Sequence, residues 1–204
     1  MTHSPMFQRF VESVEGVDPK WREDVDMEAF RALDKDERRE AEELLMRRLE
    51  ESDTRAPRTL AEVQSRGAVV PMQRAYPNAK GHMKVALALA LRDLEVAPAE
   101  PLIAEIIRSG DLDGGIPAVS AARMMNKPEI AEALAWAALH HPDPNVRRSA
   151  GSILIYHSGA TDDPLAWKLR PLYLPLGSED MAVRRNAFRE ICKIAQFPPE
   201  MADS

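Results

Sequence analysis

Hydrophobic residues recur at helical spacing along most of the chain, and strand-like alternation is absent. Phe7, Phe10 and Val14 stand at i, i+3 and i+7, which predicts a short amphipathic helix near the N-terminus. From Arg38 to Glu51, Ala41, Leu44, Leu45 and Leu49 share one face and charges fill the rest, so a second amphipathic helix is expected. Just ahead of it, Asp34-Lys-Asp-Glu37 has the acceptor-x-x-Glu spacing of a capping box. Beyond residue 53, short apolar runs alternate with proline or acidic punctuation. Pro98, Pro128, Pro144 and Pro164 each precede such a run. Proline suits a first helical turn, because its missing N–H would have no partner there and its φ is already set. Asp143-Pro144 and Asp163-Pro164 add a capping carboxylate. In pairs, the predicted helices cover about 36–51 with 55–65, 67–76 with 79–94, and 98–109 with 114–125. About 128–140 with 144–157 and 163–175 with 179–196 complete the set.

Two segments are near-copies, 37 positions apart: Asp143-Pro-Asn-Val146-Arg147-Arg148-Ser149-Ala150 and Asp180-Met-Ala-Val183-Arg184-Arg185-Asn186-Ala187. Self-similarity at such a period is the mark of one helical unit repeated and stacked. In the second copy Val183, Ala187, Ile191 and Ile194 share a face, matched by Val146, Ala150, Leu154 and His157 in the first. A face of this kind is expected to be buried by the next unit.

These motifs resemble bacterial HEAT repeats, including the short variant named after phycobilin-lyase proteins. Asp53-Thr-Arg55-Ala56 with Leu60-Ala61-Glu62-Val63, then Gly67-Ala68-Val69-Val70-Pro71-Met72, is similar to the recurring phrase of that family. Met83-Lys84-Val85-Ala86 resembles the start of its following helix, and the two Val-Arg copies match best. The resemblance covers about residues 36–196. It implies an all-α superhelix, a HEAT-like solenoid of about five helical hairpins over residues 36–204, behind a capping lead-in over residues 1–35. Many HEAT repeats carry an Asp five residues before the Val-Arg, pairing with the Arg in an inter-repeat ladder. Here those positions are His141 and Ser178.

Composition narrows the functional classes. The lone Cys192 excludes a disulfide scaffold and fits a reducing compartment, so a cytoplasmic location is expected. The longest apolar run, Val85 to Leu91, is too short to span a bilayer, and no secretory signal is visible at the N-terminus. Residues 1–55 hold 16 acidic and 10 basic side chains, while the remaining residues hold 17 of each. All the excess negative charge therefore lies in the first quarter, and no uniformly basic groove of the kind that binds duplexes is present. Nucleic acid is not the expected partner.

No nucleophile elbow or Walker loop occurs, Gly114-Gly115 reads as a helix-start turn, and the five histidines lack metal-ligand spacing. No cofactor and no metal are expected. Within each arginine pair, Arg147 and Arg184 read as scaffold members, whereas Arg148 and Arg185, with Arg189 and Lys193, are candidates for a partner-facing surface. The acidic run from Glu23 to Glu43, which includes Glu37, reads as a solvated cap or as a surface that steers a basic partner. Trp136 and Trp167 are expected to pack, and Trp21, set among charges, is the candidate exposed anchor. Cys192 is expected to be a buried inert thiol. Together these features favour a non-catalytic HEAT-repeat scaffold that binds another protein. Its concrete form is an immunity- or antitoxin-like protein that neutralises a basic partner such as a toxin. The alternative is a HEAT-like DNA glycosylase acting on alkylated bases.

Overall fold

The computed structural model describes residues 3–16, 24–164 and 166–202. Trp21 and Glu23 lie outside the described residues. Every regular element among the described residues is helical, so the chain is all-α. The helices gather into two compact units, residues 1–79 with 86–97 and residues 80–85 with 98–204.

The first unit contains α1 (Pro5–Glu15), α2 (Met27–Arg31), α3 (Lys35–Glu50), α4 (Arg55–Glu62) and α5 (Val69–Ala75). The expected N-terminal helix is present, and Phe7, Phe10 and Val14 are its buried face. The Phe10 and Phe30 rings meet with centroids 5.4 Å apart, and Leu45, Leu49, Leu60 and Met72 are buried in the same unit. Helix α2 has no counterpart in the sequence reading, because five residues are too few to show a period. The capping box is half realised. Asp34 Oδ1 accepts from the Asp36 and Glu37 N–H groups, but the Glu37 carboxylate turns to Ser4 at the head of α1.

The second unit is built of stacked hairpins. Helix α6 (Gly81–Asp93) lends it residues 81–85. Helix α7 (Ala99–Arg108) pairs with α8 (Leu112–Ala122), and α9 (Pro128–His140) pairs with α10 (Pro144–His157). Helix α10 then packs on α8 behind it and on α12 (Met181–Ala195) ahead, while α9 packs on α7. Pro128 and Pro144 open their helices at the first turn as expected, and Pro98 sits one step earlier as an N-cap.

Three expectations need correction here. The helix predicted over 163–175 is a chain of short pieces: a 3-10 turn at Trp167–Leu169, α11 (Arg170–Tyr173) and a 3-10 turn at Leu174–Gly177. Pro171 and Pro175 each remove a donor from that stretch, so an unbroken ladder of hydrogen bonds cannot form. No helix starts at Pro164. Trp167, expected to pack, is 76% exposed because it belongs to this irregular segment. The buried face of α12 is Arg184, Phe188, Ile191, Cys192 and Ala195, whereas Val183 and Ile194 are exposed. The helix is rotated by about one position from the expected face, so that Phe188 carries the packing.

Candidate binding site

The site is set up by a repeated cap. Asp111, Asp143 and Asp180 are the N-caps of α8, α10 and α12, and each accepts the backbone N–H two residues on, at 2.7–3.0 Å. The Asp111 carboxyl also accepts the Gly81 N–H at 2.7 Å, and this bond leads the effects that hold it below the usual carboxylate range. Because the caps are alike, they put the three helices in one register. Four residues past the cap come Gly115, Arg147 and Arg184; five past it come Ile116, Arg148 and Arg185; nine past it come Ser120, Ser152 and Arg189.

The position four past the cap points inward. Arg147 is 2% exposed. Its Nη1 donates to the His141 and Pro142 carbonyls at 2.8 and 3.0 Å, folding back on its own loop. Its Nε and Nη2 reach the next hairpin, donating to the Leu176, Gly177 and Ser178 carbonyls and to the Glu179 carboxylate at 2.7 Å. Most of these acceptors are carbonyl oxygens at a loop or turn, where a helix-type partner is missing, and Glu179 supplies the one carboxylate. Arg184 repeats the inner half, donating to the Ser178 and Glu179 carbonyls at 2.8 and 3.1 Å. In α8 the same position is Gly115, and a Cβ there would meet the His141 ring and Val146 at 2.8 Å. His141 is fully buried in that space. Burial pushes its pKa down, opposed by Asp143.

The position five past the cap turns outward. Arg148 is half-buried, with Nε 3.4 Å from the Leu174 carbonyl and Nη1 3.1 Å from Asn145 Oδ1. Its guanidinium lies over Gly177, where any Cβ would overlap it. With Arg123 it lines a cleft of about 280 Å³, together with the apolar Val119, Ile153, Pro164 and Tyr173 and with Ser120, Ser149 and Ser152. The Ser152 hydroxyl is committed to the Pro164 carbonyl, which ties Pro164 to α10. Arg123 lies 5.5 Å from the Tyr156 ring centroid. Among the described residues neither Arg123 nor Arg148 is paired with a carboxylate, as is also true of Arg38 and Arg66, which donate to carbonyl oxygens.

The other predicted residues are placed elsewhere. Arg185 is half-buried on α12, and Arg189 follows one turn later with Nη1 3.2 Å from Asn186 Oδ1. Lys193 is bridged to Glu190 at 2.7 Å. None of the three lines the cleft. Glu37 accepts from the Ser4 N–H and hydroxyl at 2.6 and 2.9 Å and so fastens α1 to α3. Burial raises the Cys192 thiol to about 11, in keeping with an inert core position. No group of three or more potential metal ligands occurs among the described residues. No helix among them is long and apolar enough to cross a membrane.

Sequence reasoning does not find Arg123, Ser120 or Tyr173. The signal that exposes the first two is Asp111: once it is taken as a cap equivalent to Asp143, Ser120 aligns with Ser152 and Arg123 falls one turn further on. Tyr173 has no local signal, because the irregular segment that carries it has no period. Comparison with family models, curated proteins and solved structures gave no match to this chain.

Proposed function

We propose that this chain is a non-catalytic, protein-binding scaffold of HEAT-like build, which engages an anionic surface of its partner through the outer faces of α8 and α10. The observation that carries this reading is the pair Arg123 and Arg148, two guanidiniums without carboxylate partners beside an apolar cleft. On α8 the exposed Leu112 and Ile116 continue through Ser120 at i, i+4 and i+8, with exposed Met124 a turn beyond. Arginine and methionine beside apolar surface are what protein interfaces favour. The immunity-like form, in which acidic residues meet a basic toxin, draws less support. Asp24, Asp26, Glu28, Glu37 and Glu42 are already engaged with Arg58, Arg9, Ser4 and Ser65 inside the first unit.

A photo-crosslinking residue at Ser120 tests the reading. Crosslinks to a discrete partner should fall at least about tenfold when Arg123 and Arg148 are both reversed to Glu, with thermal unfolding unchanged. Crosslinks of equal yield after the reversal would remove the cleft from the interface.

A further inference from the structure

We propose that the cleft between α8 and α10 receives the C-terminal residue of the partner polypeptide, its apolar side chain against the apolar lining and its terminal carboxylate at Arg123 and Arg148. The inference rests on the protein-binding reading above and assigns the chemistry of that surface. Two features have to be satisfied together. The apolar lining of Val119, Ile153, Pro164 and Tyr173 favours an apolar group, and about 280 Å³ is room for a single residue but small for a larger ligand. Arg123, the C-cap of α8, and Arg148 on α10 both line that cleft, and neither has a carboxylate partner among the described residues. A carboxylate has two oxygens, each able to accept from one guanidinium.

An aspartate or glutamate side chain meets the arginines but leaves the apolar lining uncovered. A phosphate group does the same. An internal leucine covers the apolar lining and leaves both cations unmatched. A chain-terminal apolar residue brings apolar bulk and a carboxylate within one residue's length, with Ser120 and Ser149 also in the lining. The placement of Arg148 is also built rather than incidental. Gly177 leaves the space its guanidinium occupies, and the Leu174 carbonyl lies 3.4 Å from Nε.

The test uses the full chain and fluorescein-labelled hexapeptide pools with five degenerate positions and Leu at the C-terminus. Fluorescence polarisation should report binding of the free-acid pool and at least about tenfold weaker binding of the C-terminal amide pool. Replacing both Arg123 and Arg148 by Ala should cause a loss of the same order. Gly177→Ala keeps every charge but forces the Arg148 guanidinium aside, and should weaken the free-acid pool while leaving the amide pool unchanged. Equal binding of acid and amide pools, or no binding of the acid pool, would overturn the inference. Competition by free N-acetylleucine as strong as by the peptides would reassign the cleft to small organic acids, which also overturns it. If the peptide pools fail while Ser120 crosslinks still depend on Arg123 and Arg148, the scaffold reading stands and only the terminal-carboxylate chemistry falls. If both fail, both readings fall.

Discussion

The two near-copies, Asp143–Ala150 at the head of α10 and Asp180–Ala187 at the head of α12, share a cap, a Val-Arg-Arg run and a helix, yet their first arginines differ in weight. Arg147 is bonded on both sides, to its own loop and to the segment that follows α10. Arg184 is 9% exposed and holds its own loop, with Met181 Sδ at 3.7 Å as its other side-chain hydrogen-bond partner among the described residues. The same residue at the same register is a clamp between hairpins in one copy and a local brace in the other. What differs is the neighbour. The end segment of another hairpin, Leu176 to Glu179, lies against α10, and its carbonyl oxygens need donors.

The comparison can be broken most severely at Arg147. Arg147→Ala leaves several buried carbonyl oxygens without a donor and should cost about 3–5 kcal/mol in urea unfolding. Arg184→Ala should cost only about 1 kcal/mol. Equal losses would mean that the bonds to the Leu176–Glu179 segment add nothing to stability.

Gly151 offers a smaller break at the same contact. It stands eight past the cap, where α12 has Phe188, and a Cβ there would overlap the Leu176 side chain and lie 3.2 Å from Ile191. Gly151→Ala gains helix propensity but overpacks the seam, and a net loss of about 1–3 kcal/mol in urea unfolding is expected. An unchanged midpoint would show that α10 and α12 are not held tightly together.

The smallest effect concerns the residue two before each cap, His141 in one copy and Ser178 in the other. His141 is buried, and its pKa is lowered by that burial. The unfolded chain therefore binds the proton more readily than the folded one. Stability should be full above the unfolded histidine value of about 6.5 and should fall as pH drops toward the lower folded value. The slope is at most about 1.4 kcal/mol per pH unit for one proton. His141→Ser, which copies the other repeat, should remove that part of the slope when stability is measured from pH 7.5 to 5. An identical slope in the variant would place the titration elsewhere.

Much of the fold is legible in the sequence because its signals are local. The Asp143-Pro144 start of α10, the Leu45–Leu49 face of α3 and the Phe7–Phe10–Val14 face of α1 each depend on residues within a turn or two of one another. The first arginine of each pair is buried and the second half-buried. Reading failed where a partner far along the chain decides. Glu37 has the spacing of a capping box, but Ser4, 33 residues away, takes its carboxylate. Trp167, expected to pack, departs for a local reason instead: Pro171 and Pro175, close behind it, leave it on an irregular, exposed turn.

The sequence by itself determined most of the longer helices, the Asp34 and Asp143 caps and the 37-residue echo, since hydrogen bonding within a helix and the preference of Asp for an N-cap act over four residues or fewer. Only the tertiary structure decided that Arg147 would be satisfied by carbonyl oxygens of two segments together with the Glu179 carboxylate. It alone brought Arg123 and Arg148 to the lining of one cleft. Those outcomes depend on which backbone comes to rest against a side chain some 30 residues away, and no local pattern of residues encodes that distance.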